Sequence, residues 1–304
     1  MKSGLLVLVA ATATAAAGGA WAQCATVDPV VVPQVRLDPL DAAGPAELVQ
    51  PLVLIFRRTE MNAPPLTIRY QIVDEDSSLR SRVGVTQGPM VEWQGADSSR
   101  DIGAFRSEAY SLLRSSRVIF GENDQAAQQS IVMRLTNLRE DLSAGIYREQ
   151  FTVRYWCGED DSQMPYEAHG TVAVAVAVPN VLSANVAGAT ARGEIDFLDF
   201  AVRERSLQVS VRSTGPYQVT ARSLNGGVLL RDQARLDGDR ADRIPYAARF
   251  DGEAINTDGA AGHRMERAGL LGRQIPLDIR VEDAALNRAG GYADTLLLTL
   301  SPAN

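Results

Sequence analysis

The chain has 304 residues, 45% of them hydrophobic, with two cysteines and a formal charge of −7. An acidic chain with scattered arginines argues against nucleic acid or an anionic membrane as a partner. Beyond the first 22 residues, no run is long and apolar enough to span a bilayer as a helix.

Residues 1–22 read as a secretory signal. Lys2 supplies the charged region, residues 5–17 the apolar one, and Ala20-Trp21-Ala22 a small-x-small cleavage site. An anchor is disfavoured because the apolar run is short and broken by Gly18 and Gly19. A lipid-attachment site would want a small residue where Gln23 precedes Cys24. Removing 22 of the 304 residues leaves 282, enough for two domains with their own cores. Lys2 is the only lysine, so the 30 basic residues become 29 arginines against 37 acids, a charge of −8. The expected product is exported, either soluble or held at the cell surface by other proteins.

In an exported chain the pair Cys24 and Cys157 reads most simply as a disulfide; two free thiols or a metal pair is the alternative. Cys157 shares strand parity with Tyr147, Phe151, Val153 and Tyr155, so it points into the core. Such a bond closes a long loop, worth about 4–5 kcal/mol on the chain-entropy model.

In chain order, the turn Met61-Asn62-Ala63-Pro64-Pro65 precedes a strand in which Leu66, Ile68, Tyr70 and Ile72 alternate. Gly88-Pro89-Met90-Val91-Glu92-Trp93 reads as a second apolar loop, and residues 105–116 as a short helix. Residues 171–178 alternate Val172, Val174, Val176 and Val178 with alanines, a strand that would close a first sandwich. The domain break falls near Pro179-Asn180, with a short hinge, giving domains over 23–179 and 180–304. Beyond it, residues 181–190, Ile195 and Phe197 open the second domain. Leu207, Val209 and Val211 then face Tyr217, Val219 and Ala221 across Ser213-Thr214-Gly215-Pro216, read as a hairpin. Ile275, Leu277, Ile279 and Val281 form a further strand. Repeated short strands with polar turns predict an all-β protein of two β-sandwiches.

No catalytic set stands out. His169 and His263 have no ligand partners at metal spacing, and read as solvated loop residues. There is no Gly-x-Ser-x-Gly elbow, and no phosphate-cradling glycine loop precedes a helix. The clusters Asp74-Glu75-Asp76, Glu159-Asp160-Asp161 and Asp237-Gly238-Asp239 with Asp242 read as solvated turns, lacking EF-hand spacing. The chain is expected to be neither an enzyme nor the carrier of a cofactor.

The most telling feature is a repeat. Ala144-Gly145-Ile146-Tyr147-Arg148-Glu149-Gln150-Phe151-Thr152-Val153-Arg154-Tyr155 is echoed by Ala289-Gly290-Gly291-Tyr292-Ala293-Asp294-Thr295-Leu296-Leu297-Leu298-Thr299-Leu300. Both copies alternate with period two, as half-buried strands do. The first copy is followed by another strand, residues 171–178. The second is followed only by Ser301, Pro302, Ala303 and Asn304, so the second sandwich is expected to lack its last strand. Tyr292, Leu296, Leu298 and Leu300 would then line an acceptor edge. A strand of about eight residues entering there would bury roughly four side chains, on the order of 6–12 kcal/mol before ordering costs. The strand comes either from a partner, by donor-strand complementation, or from the domain's own residues 181–187 by an altered topology.

The second domain resembles the spore coat protein U family, the pilin-type domains of archaic chaperone–usher pili. The likeness is carried by Ala289-Gly290-Gly291-Tyr292-Ala293-Asp294-Thr295-Leu296, by residues 206–223 with the following Asn225-Gly226-Gly227, and by Ile244-Pro245-Tyr246. It covers residues 181–304. It reaches the first domain only through residues 144–155 and the Cys24–Cys157 framework. The chain departs from many relatives in having no cysteine in the second domain. The resemblance implies an incomplete immunoglobulin-like fold, a periplasmic chaperone, an outer-membrane usher and a neighbouring pilin that donates a strand. If Cys24 is bonded to Cys157, no free arm precedes it to be given onward. The chain then reads as a tip subunit, exported through the periplasm to the cell surface, with the first domain as adhesive head. Met61, Pro64, Met90 and Trp93 are the candidate surface-gripping residues, with core packing of Met90 and Trp93 as the alternative. Other readings are a shaft or minor pilin, or an independent secreted carbohydrate-binding module.

Overall fold

The computed structural model describes residues 23–303, apart from 42–43, 75–82, 84–87, 96–100, 107, 109–111, 139–140, 159–163 and 187–190. The expected signal (1–22), Glu159-Asp160-Asp161 and two residues of the Asp74 cluster lie outside the described residues. The fold is all-β. Eleven strands build the first part: β1 (Ala25–Val27), β2 (Val30–Val31), β3 (Val35–Arg36), β4 (Leu48–Arg58), β5 (Leu66–Asp74), β6 (Met90–Gly95), β7 (Gly103–Phe105), β8 (Ser116–Phe120), β9 (Ala126–Thr136), β10 (Gly145–Cys157) and β11 (Tyr166–Val178). Ten build the second: β12 (Leu182–Val186), β13 (Glu204–Ser213), β14 (Tyr217–Ser223), β15 (Val228–Arg231), β16 (Arg243–Phe250), β17 (Glu253–Ile255), β18 (His263–Met265), β19 (Gly269–Val281), β20 (Tyr292–Ala293) and β21 (Leu296–Pro302).

The first part is a complete sandwich. One sheet runs β1-β4-β9-β6; the other runs β2-β11-β10-β5-β7, with β3 also on β11 and β8 on β5. Period-two alternation sends Leu54 and Phe56 of β4, Ile68, Tyr70 and Ile72 of β5, and Phe151, Val153 and Tyr155 of β10 into one core, all fully buried. Val172, Val174, Val176 and Val178 of β11 seal it. Rings interlock across the layers, Phe56 on Tyr70 at 5.3 Å and Trp93 edge-on to Phe151 at 5.1 Å. The outer face of β10 is buried in its second half, at Thr152, Arg154 and Trp156. Arg154 reaches the carbonyls of Arg106 and Glu108 at 3.5 Å and pairs with Glu167 at 3.0 Å, so Arg106 and Glu108 lie over that sheet.

The second part repeats the plan around a separate core of Val209, Val211, Tyr217, Val219, Ala221, Ile244, Phe250, Ile275 and Ile279. One sheet runs β12-β13-β19-β16-β15-β20 and the other β18-β14-β21. Position for position, β12 stands where β1 does, β13 where β4, β14 where β5, β19 where β9 and β21 where β10.

Three sequence expectations are corrected here. Residues 207–221 do not form a hairpin: β13 pairs with β12 and β19, while β14 pairs with β18 and β21 in the opposite sheet. Ser213 and Thr214 are fully buried, the Thr214 N–H donates to Val181 O, and Pro216 has no N–H for a ladder, so the turn crosses the sandwich. Within residues 105–116 the described helical structure is the single 3₁₀ turn Leu112–Arg114. The 88–93 segment is not a loop throughout, since β6 starts at Met90.

Candidate functional site

The sequence repeat encodes a tyrosine corner. The Tyr147 hydroxyl donates to Ser143 O at 2.7 Å, and the Tyr292 hydroxyl donates to Arg288 O at 2.7 Å, each four residues back. At Tyr147 this bond fixes where the chain enters β10 after crossing between sheets; at Tyr292 it fixes the entry to β20, which lies in the sheet of β19, and the crossing to β21 follows it. The preceding glycines have similar backbone angles, φ 156° at Gly145 and 150° at Gly290.

Beyond the corner the copies diverge. The first runs unbroken through β10, flanked by β5 on one side and β11 on the other. The second breaks into β20 and β21 at Asp294 and Thr295. Asp294 accepts from Tyr246 Oη at 2.7 Å, Ser223 Oγ at 2.5 Å, and the backbone N–H groups of Asn225 and Thr295 at 3.1 and 2.7 Å. Burial pushes the Tyr246 phenol up, opposed by its contact with Ser223 and reinforced by Asp294. It therefore serves Asp294 as a neutral donor. This cluster pins the start of β21 to the end of β14.

From there β21 pairs with β14 alone, Leu296 opposite Ser223, Leu298 opposite Ala221 and Leu300 opposite Val219. Among the described residues no strand is hydrogen-bonded to its other edge, although β12 approaches it. Leu296, Leu298 and Leu300 turn toward the second core but are only partly buried, whereas their counterparts Phe151, Val153 and Tyr155 are 0% exposed. Leu182 and Ala184 of β12 are also partly buried against this core. β12 pairs with β13 and forms no ladder with β21, although the two strands approach each other. Gly193 lets the chain after β12 fold back closely, since a Cβ there would lie 2.7 Å from Val186 Cγ1 and Leu207 Cδ2.

The structure thus brings Leu296, Leu298 and Leu300 together and sets Tyr292 apart. Tyr292 sits in β20 beside β15, its ring edge-on to Phe200 at 6.2 Å, lining a cleft of about 430 Å³ with Phe200, Ile244 and Ala284. The sequence reading overlooked Leu182 and Ala184 as the opposite wall; the alternation Leu182, Ala184, Val186 was its signal.

In the head, Met61 is 80% exposed and Pro64 is exposed, on the loop between β4 and β5. Trp93 is corrected from surface to core: it is 1% exposed, because β6 alternates Val91, Trp93 and Gly95 inward. Met90 is half-buried at the start of that strand. Met164, not singled out from sequence, is 89% exposed in the connection between β10 and β11. Its signal was Met164-Pro165 between two strands whose pairing the repeat suggests. Cys24 and Cys157 form a disulfide, with Cα atoms 6.1 Å apart. It ties the start of β1 to the end of β10, near the same loops.

Among the described residues there is no cluster of three metal-ligating side chains, and no helix long and apolar enough to cross a membrane.

No protein-family model matches the chain, the spore coat protein U family included, and no curated protein matches it by sequence. Solved structures with a similar fold include the CupB6 tip adhesin from Pseudomonas aeruginosa (14% identity, 91% of this chain and 94% of that one, TM-score 0.44). Another is CfaE, the adhesive subunit of CFA/I fimbria of enterotoxigenic Escherichia coli (9%, 91% and 94%, TM-score 0.45). A third is the CsuC–CsuE chaperone–tip adhesion subunit complex from Csu pili of Acinetobacter baumannii (10%, 91% and 99%, TM-score 0.39). With every TM-score below 0.5, none of the three carries a functional assignment.

Proposed function

We propose that this chain is an adhesive subunit of a chaperone–usher type pilus, a member of the spore coat protein U group, and that its second sandwich accepts a strand from a neighbouring pilin. One observation carries the reading. β10 is sealed by β11, while the corresponding β21 has an open edge and half-buried leucines. An unpaired edge above a part-open core drives aggregation, so such a subunit needs an escort. A periplasmic chaperone holds the edge until a pilin strand replaces it at an outer-membrane usher. Residues 24–36 support a tip position: Cys24 is bonded to Cys157, and β1, β2 and β3 pair with β4 and β11. This stretch is used in closing the head and is not free to be given to another subunit, as a shaft pilin requires. The adhesive surface is the pole carrying Met61, Pro64 and Met164, whose methionines are flexible apolar contacts. No catalytic role is assigned.

The test uses residues 23–304, oxidised and purified, with a synthetic peptide of residues 166–178, the strand that seals the equivalent position in the head. Alone, the chain is expected to aggregate or to unfold with a weak second transition. The peptide should raise that transition and restore solubility. A stable chain indifferent to the peptide sinks the proposal. For the head, Met61→Ser with Met164→Ser should reduce adhesion of a piliated strain without changing piliation.

A further inference from the structure

The open edge of β21 ends in the junction between the two sandwiches. The Ala303 N–H donates to Pro216 O at 3.0 Å. The Asn180 side-chain amide donates to both Ala303 O at 2.7 Å and Pro216 O at 3.1 Å. Asn180 stands in the connection Pro179-Asn180-Val181 that joins β11 to β12. Thr214 grips that connection on either side: its hydroxyl donates to Pro179 O at 2.7 Å and accepts from Val181 N–H at 2.8 Å. Its carbonyl accepts the Ala144 N–H of the head at 2.8 Å, at the root of β10. A second brace runs alongside, from Asp141 of the head to Arg267 and to the Leu270 N–H. The Asn180 amide packs flat on Gly215, where a Cβ would lie 2.8 Å from its Cγ and Oδ1. A path of hydrogen bonds and backbone links therefore leads from Ala303, just past the acceptor strand, through the side chains of Asn180 and Thr214, to Ala144, just before the head strand.

An element at one end of this path has two states. With its outer edge empty, β21 is held on one side, and a singly held edge strand opens locally at low cost. With a strand beside it, both ladders are made and its end is ordered. A path carries coupling only where such a two-state element exists, and ordering at one site lowers the ordering cost at the other.

We propose that Asn180 is a positioning residue that couples occupation of the β21 edge to the junction, so that the junction bonds already made in the lone chain open less often once the incoming strand is in place. The proposal rests on the strand-acceptor reading above. It gives the subunit a built-in difference between the unassembled and the assembled molecule: the same brace holds the head in both, and more firmly after a strand arrives.

The experiment is amide hydrogen exchange on oxidised residues 23–304, with and without saturating peptide of residues 166–178. Exchange at Ala144 and Val181, whose N–H groups bond to Thr214, should slow by about fivefold or more when the peptide binds. In Asn180→Ala the slowing should fall below about twofold while the peptide still binds, its Kd raised by no more than the coupling that was lost. Gly215→Ala displaces the same amide from the opposite side and should do likewise; it decides the matter if the first variant misfolds. Peptide binding with no slowing at the junction overturns this inference and leaves the acceptor reading intact. Slowing that persists in both variants removes Asn180 from the path. No peptide binding to the unaltered chain overturns both readings together.

Discussion

The head and the base are two renderings of one sandwich, and their difference lies at one strand position. Both enter the final repeat through a tyrosine corner, and both set that repeat against the strand that follows the inter-sheet crossing, β5 or β14. In the head, β11 supplies four buried valines and a full ladder, and the three inward residues of β10 are dry. In the base, the inward residues of β21 are only partly buried. Strand pairing is thus separable from depth of burial: a strand can take its place in a sheet from a ladder on one side while its inward residues stay only partly buried.

The largest effect should come from supplying the base with what the head already has. Filling the β21 edge with the 166–178 peptide removes apolar area worth on the order of 6–12 kcal/mol before ordering costs. A rise of more than about 10 °C in the second calorimetric transition is expected, with the first unchanged. Next, replacing both cysteines by serine should cost the head about 4–5 kcal/mol and leave the base transition where it is. A shift in both transitions would show that the two cores unfold as one. A matched pair of truncations sharpens the contrast. Val153→Ala should cost about 2–3 kcal/mol, whereas Leu298→Ala should cost under about 1.5 kcal/mol in the lone chain and more with peptide bound. Equal losses without peptide would mean that β21 is already sealed. The smallest effect concerns alkali. Burial pushes the Tyr217 phenol up to about 12. Its folded value lies above its unfolded value near 10, so its contribution is intact below about pH 10 and is lost as pH rises through 12. Tyr217→Phe should flatten the loss of base stability over that window in pH-dependent melts.

Much of this contrast was legible in the chain. Strand parity placed Cys157, Phe151, Val153 and Tyr155 on one face, and the repeat exposed the correspondence of β10 and β21. What failed did so for physical reasons. Residues 207–211 and 217–221 alternate identically whether their partner lies beside them or across a core. The deciding contacts come from Val181, over thirty residues away. Trp93 was read in an apolar loop candidate with core packing as the alternative; with β9 alongside, the parity of Val91 and Trp93 sends it into the core. Tyr292 shares parity with Leu296, yet Asp294 is seized by Tyr246 and Ser223, and the strand breaks there. No local pattern announces a side-chain clamp assembled from three distant segments.

The bond between Cys24 and Cys157 has a consequence for maturation. Its partners are 133 positions apart, so the first thiol to emerge must wait for most of the head to follow. Yet the molecule contains only two cysteines, and neither is left free. A wrong intramolecular bridge cannot be made, so an oxidant suffices and reshuffling by an isomerase has nothing to correct.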